Sequence, residues 1–239
     1  MRKPKKPIRI LFLTSVRDVG VDDRNGQLVP TKSGSRYMKG VIEHAVLQCH
    51  PSGALHGFCE VVGVVTDDTA KGLAGSGYPL VPTAGEPWIH QLGLEDYRGV
   101  RIADVPIHRP SLFRALPLQA VAERYEAKKE YEGQIVELMR ELGADVLVSD
   151  HYMAKIEFLV DESFGLYGRV LNIHPAVTLH NHPFCFRGKS PTADAIARAK
   201  SGRETRTGAT LHLINEIIDD GPIIHWAAPT PVFAADSPQ

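Results

Sequence analysis

RVLNIHPAVTLHNHPFCFRGKSP, residues 169–191, sets His174, His180, His182 and Cys185 in a short polar run directly behind an apolar segment. RVLNI (169–173) has the aliphatic, β-branched make-up of a strand buried on both faces, and Pro175 stops it. Asn172 and His174 are two apart at the strand end, so their side chains share a face. Ligands of an open parallel sheet bind beyond the carboxyl ends of its strands. An amide there stabilises a developing oxyanion, and an imidazole moves a proton at neutral pH. The imidazole needs a carboxylate to orient it, and EIIDDGP (216–222) offers Asp219 and Asp220 in a turn before the last strand.

The strand has companions along the chain. IRILFLTS (8–15), CEVVGVVTDD (59–68) and DVLVSD (145–150) are buried runs of the same kind. SGSRYMKGVIEHAVLQC (33–49) reads as a helix with Ser35 as its N-cap and Met38, Val41, Ile42, Ala45, Val46 and Cys49 on one stripe. The loop before it, 16–32, carries a small hairpin at DRNGQ (23–27). LQAVAERYEAKKEYEGQIVELMRELGA (118–144) is a second helix with Val121, Tyr125, Ile135, Leu138, Met139 and Leu142 as its apolar stripe, Gly143 at its end, and a solvated Lys/Glu face over 123–132. A third helix spans 191–202, and 207–214 and 222–232 alternate like paired strands. Alternating strands and helices predict one α/β domain over 1–239, an open, mostly parallel twisted sheet of Rossmann-like type with helices on both faces. The Gly- and Pro-rich stretch 69–117 is expected to be an insertion that partly covers the active-site edge.

Composition narrows the partners. With 27 basic and 28 acidic residues the formal net charge is -1, so no global field draws the chain to nucleic acid or to an anionic membrane, and a small, modestly charged substrate fits better. Three cysteines, Cys49, Cys59 and Cys185, without a CxxC spacing, point to a reducing compartment. The basic start MRKPKKP leads into a run broken by Arg9 rather than into a cleavage site, and no apolar stretch reaches the roughly 18 residues of a membrane helix. The expected location is the cytoplasm.

VLNIHP, then FRG, then TGATLHLINEIIDDGPII, then APTPVFAADSP together resemble the folate-dependent formyltransferases of the glycinamide ribonucleotide type, over about residues 144–236. The family pattern, Asn-x-His-Pro followed by Asp-x-Gly-Pro, falls on Asn172, His174, Pro175, Asp219, Gly221 and Pro222. The resemblance implies that Asn172, His174 and Asp219 are catalytic, that 10-formyltetrahydrofolate is the donor and an amine the acceptor, and that no metal takes part. It also implies a folate pocket along VSDHYMAKI (148–156), with Met153 and Ile156 flanking the pteridine and His212 and Asp220 near the donor.

Departures from the pattern bear on the acceptor. Ribonucleotide enzymes of this family hold phosphate on a Gly-Ser-Asn loop straight after the first strand. Here SGSR (33–36) is displaced by a long insertion and Arg36 stands where Asn is usual, so Ser35 and Arg36 are candidates for the acceptor, although a plain helix N-cap is the reading SGSR fits better. The extra segments resemble the hydroxyornithine formyltransferases of siderophore biosynthesis, which favours N5-hydroxyornithine or a related small amine. Glycinamide ribonucleotide, an amino-sugar nucleotide, hydrolysis of formyltetrahydrofolate by water, and a binding module without turnover are the alternatives. The family continues past VFAADSPQ into a further helix, so that helix is expected to be missing here. Arg187 fits either a substrate carboxylate or a backbone carbonyl, and His212 could equally be a satisfied strand histidine. His180, His182 and Cys185 in HxHxxC spacing admit zinc, but without a second cluster a loop over the acceptor site is the better reading.

Overall fold

The apolar runs become strands where both their faces can be covered. In the computed structural model, which describes residues 4–15, 27–31, 34–38, 41–67, 105–108, 110–111, 113, 116–150, 152, 154–188 and 190–236, the chain divides into two units, Met1–Met153 and Ala154–Gln239. The architecture is α/β with a mostly parallel sheet. Among the described residues no helix is long and apolar enough to cross a membrane.

In the first unit β1 (Ile8–Thr14) lies between β4 (Cys59–Thr66) and β6 (Val146–Asp150), parallel to both, and β5 (Ile107–His108) adds a parallel edge to β4. Leu11, Leu13, Val65 and Leu147 are fully buried, as strands sandwiched by helices require. Arg9 and Asp145 lock the entry to β1 and β6: the Asp145 carboxylate accepts from the Arg9 N–H at 2.9 Å and the Asp145 N–H donates to the Arg9 carbonyl at 2.8 Å.

The expected helix over 33–49 is half strand. Gly34–Met38 forms β3, paired antiparallel with β2 (Gln27–Thr31) through five residue pairs, and the helix α1 spans only Val41–Cys49. Ser35 is therefore a hairpin residue and caps no helix; the cross-strand ladder satisfies the backbone groups that a first helical turn would have left open. Of the expected hairpin at DRNGQ, Gln27 opens β2 and residues 23–26 lie outside the described residues. Within the 69–117 insertion, β5 is the described regular element, and residues 69–104 lie outside the described residues.

The helix α2 (Val121–Glu141) confirms its expected end. The Ala144 N–H reaches the Met139 carbonyl at 2.8 Å and the Gly143 N–H the Arg140 carbonyl at 3.1 Å, with Gly143 at φ 60, which is a Schellman closure. Its apolar face is shifted from the expected stripe. Tyr131, Ile135, Val136 and Met139 are buried, whereas Val121 is 71% and Tyr125 51% exposed, so the first turns project into solvent. The Lys/Glu face is not wholly solvated: Glu132 is fully buried with Lys128 one turn away at 3.6 Å. Glu43 in α1 is buried in the same way, where the stripe pointed to neighbouring apolar positions.

In the second unit β7 (Val170–His174), β9 (Thr210–Leu213) and β10 (Ile223–Trp226) form an antiparallel run in the order β10, β9, β7, and β8 (Arg206–Thr207) pairs with β11 (Thr230–Pro231). The helix α3 (Pro191–Lys200) opens on a proline at its first position, where the missing N–H costs nothing.

The shifted face of α2 predicts a contrast between two apolar residues. Ile135→Ala should lower unfolding free energy by about 2–5 kcal/mol, as for other buried truncations. Val121→Ala should change it by no more than about 0.5 kcal/mol. Urea midpoints at constant m-value read both.

Candidate active site

The register of β7 on β9 sets Asn172 opposite His212 and His174 opposite Thr210. His212 is 2% exposed, and its Nδ1–H donates to its neighbour Leu213's carbonyl at 2.8 Å. That contact fixes the tautomer, leaving Nε2 with a lone pair that accepts from Asn172 Nδ2 at 3.2 Å. Burial pushes the His212 pKa down, against smaller upward effects from the Leu213 bond and the Asp219 charge, so the ring is held neutral. One N–H of the Asn172 amide is thus anchored on His212, leaving the second N–H to face other partners.

Asp219 reaches the same place from the turn after β9. Its φ of 57 is left-handed, a conformation Asp tolerates better than most residues. Two residues on, Gly221 passes so close to β9 that a Cβ there would overlap the Leu213 carbonyl oxygen, and the Leu213 N–H donates to the Pro222 carbonyl at 2.9 Å. Only glycine permits this approach, and it is this approach that brings Asp219 against β7 and β9.

His174 Nδ1 lies 3.3 Å from Asp219 Oδ1, with both side chains almost fully buried. The other ring nitrogen, Nε2, donates to the Phe186 carbonyl at 3.0 Å. An imidazolium supplies protons to both acceptors; the neutral ring supplies one. Asp219 Oδ2 accepts from the Gly188 N–H at 2.9 Å, and His212 Nε2 stands 3.8 Å from Oδ1. Burial pushes the Asp219 pKa up, but the hydrogen bond and charge of His174, the Gly188 N–H and His212 outweigh it and hold the carboxyl below its usual range.

Four expected residues therefore meet in one cluster, His174, His212 and Asp219 buried and Asn172 half-buried. Asp220 sits beside it with its carboxylate taken up by Arg187 Nη1 and by His180 Nε2, the latter at 2.6 Å. Arg187 Nε and Nη2 both donate to the Thr178 carbonyl, at 3.0 and 2.6 Å. Ile156 is buried in the second unit, and Met153 lies outside the described residues. Ser35 and Arg36 belong to β3 of the first unit. His182 packs edge-on against Phe184 and Trp226, Cys185 is a free thiol, and among the described residues no group of three or more His, Cys, Asp or Glu is disposed to hold a metal. Sequence reasoning missed the Phe186 carbonyl and the Gly188 N–H, backbone groups that carry no residue-type signature.

A half-buried amide donor, an imidazole and a carboxylate below its usual range, gathered where β7 ends, define a site suited to acyl-group chemistry. The formyl transferase family matches residues 103–239, more than half of the chain, and the chain belongs to that family. Among solved structures it is similar to PvdF of pyoverdin biosynthesis, an N10-formyltetrahydrofolate-dependent formyltransferase, with 28% identity, TM-score 0.78, and coverage of 96% of this chain and 89% of that one. It is 27% identical over 118 residues to a phosphoribosylglycinamide formyltransferase of Bacillus subtilis (strain 168), covering 49% of this chain and 55% of that protein. It is 34% identical over 100 residues to a formyltetrahydrofolate deformylase of Corynebacterium sp. (strain P-1), covering 41% of this chain and 31% of that protein. The matched part is thus between about a third and just over half the length of these two curated relatives.

Two depressed groups set the acid side of stability. Asp219 has a folded pKa below its ordinary 3.8, so its contribution is present above that value and lost as pH falls through the folded one. His212 is likewise depressed from 6.5: the unfolded chain takes a proton that the folded ring resists, so stability is present above 6.5 and lost below it. The thermal midpoint should fall between pH 7 and pH 5, and His212→Gln should flatten that fall. Parallel pH–melting curves in the two proteins would contradict the assignment.

Proposed function

We propose that the chain transfers the formyl group of 10-formyltetrahydrofolate to the nitrogen of a small amine or hydroxylamine, with N5-hydroxyornithine the favoured acceptor. The observation that carries this reading is the buried contact of His174 with Asp219, with the Asn172 amide oriented by His212. The similarity to PvdF favours an acceptor of the hydroxyornithine kind over a ribonucleotide. Met153, Ile156, Ser35 and Arg36 are retained in this reading as contacts of donor and acceptor.

The acceptor nitrogen attacks the formyl carbon, a C–N bond forms, and the carbonyl electrons move onto oxygen. The free N–H of Asn172 and an N–H of His174 stabilise that oxyanion. Collapse re-forms the carbonyl and breaks the bond to N10 of the folate, which receives a proton as the acceptor nitrogen loses one. Asp219 faces Nδ1 and keeps the His174 ring aligned while that proton moves. Both ring nitrogens of His174 carry protein partners, so the formyl oxygen must share or replace one of them, and the Phe186 carbonyl is the neutral, more readily displaced of the two.

A second reading, hydrolysis of formyltetrahydrofolate with water as the attacking group, is favoured by the similarity to the Corynebacterium deformylase. Turnover of 10-formyltetrahydrofolate followed by absorbance, with hydroxyornithine, glycinamide ribonucleotide, an amino-sugar nucleotide or no acceptor, separates the two. Turnover that requires hydroxyornithine is the expected outcome; equal loss of formyl without any acceptor would replace transfer by hydrolysis. His174→Ala and Asp219→Asn should each lower kcat by on the order of a hundredfold or more, with the circular dichroism spectrum unchanged.

A further inference from the structure

We propose that Phe186, Arg187 and Gly188 form an orienting clamp on the His174–Asp219 pair, and that Asp220 is the positioning residue that holds the clamp in place. This rests on the formyl-transfer reading of the site. Three successive residues reach three members of the site. The Phe186 carbonyl accepts from His174 Nε2 at 3.0 Å, Arg187 Nη1 donates to Asp220, and the Gly188 N–H donates to Asp219 Oδ2 at 2.9 Å. A displacement of this tripeptide by about 1 Å would loosen both catalytic side chains together, the scale of misplacement that costs turnover most.

Arg187 is the strut. Its Nε and Nη2 grip the Thr178 carbonyl while Nη1 holds Asp220, so one planar guanidinium ties the segment after β7 to the 219–221 turn. The Phe186 N–H donates to the Val177 carbonyl at 3.0 Å, which fixes the clamp's near end. Gly188 has φ 92 with no atom within 4 Å of where a Cβ would stand, so glycine is there for the backbone conformation that aims its N–H and not for room.

Asp220 does none of the proton chemistry. Its Oδ1 is occupied by Arg187 and by His180, whose side chain is 71% exposed. The ion pair lies on the solvent side of the turn that carries Asp219, where it can set the position of the catalytic carboxylate without touching the reacting atoms. Alignment of His174 with Asp219 should therefore depend on a carboxylate at 220 and on a guanidinium at 187, and less on His180.

The test uses the full chain as Asp220→Ala, Asp220→Glu and Arg187→Lys, with two readouts. Asp220→Ala and Arg187→Lys should lower kcat on the order of ten- to a hundredfold with KM for the folate changed less than about twofold, and Asp220→Glu should restore most of it. By 1H–15N NMR the His174 Nε2–H should be observable in the wild type, lost to solvent exchange in Asp220→Ala, and regained in Asp220→Glu. A kcat and a His174 signal unchanged in Asp220→Ala would overturn the proposal, as would a loss of thermal stability with kcat per folded molecule intact. Should Asp220→Ala fail to fold, Asp220→Asn, which keeps shape without charge, is read by the same two criteria. If the wild type turns over no formyl donor, the functional reading falls while the NMR comparison still decides the clamp.

Discussion

The approach of the 219–221 turn to β9 governs the second unit. Because Gly221 carries no side chain, the chain passes against the Leu213 backbone, and the Leu213 N–H closes on the Pro222 carbonyl. Asp219 is thereby forced into a left-handed conformation that costs an L-residue roughly 1–2 kcal/mol. That cost is offset by what the position secures: a His174 contact on one carboxylate oxygen and the Gly188 N–H on the other. The β7–β9 register then delivers Asn172 and His212 to the same point, so the site follows from one ladder and one glycine.

The parts of the fold visible in the sequence are those where a single requirement dominates. β1, β4 and β6 are legible because a strand covered on both faces tolerates few polar side chains, and the end of α2 because a left-handed closure selects Gly143. Ser35 misled because a serine before an apolar stripe suits a helix start and a hairpin strand alike, and the five-pair ladder with β2 decided between them. Glu43 and Glu132 misled for the opposite reason: residue type says exposed, while packing and, for Glu132, the nearby Lys128 allow burial. In the site, Asn172, His174 and Asp219 were legible as side-chain chemistry, and the carbonyl of Phe186 and the N–H of Gly188 were not, since every residue owns such groups.

The histidine-rich run after β7 does structural work as well. His180 shares Asp220 with Arg187, and His182 packs its edge against Phe184 at 5.7 Å and Trp226 at 5.5 Å. Arg198 lies over the Phe184 ring and donates to the Pro183 carbonyl at 2.9 Å. His180 and His182 thus contribute ion-pair and aromatic contacts that tie the 178–188 segment to Asp220 and Trp226.

The two adjacent carboxylates of the turn face different partners: Asp219 faces His174 inside, Asp220 faces Arg187 and His180 outside. The inner pair is shielded from water and can hold a proton in place for chemistry; the outer one is reached by solvent and by salt. Burial is what chiefly holds the His212 pKa down, with the Arg187 charge the smallest of the contributions, whereas at Asp220 the Arg187 hydrogen bond is the largest. A single guanidinium outside the reacting cluster therefore acts chiefly on placement, by tying the segment after β7 to the turn whose carboxylate faces His174.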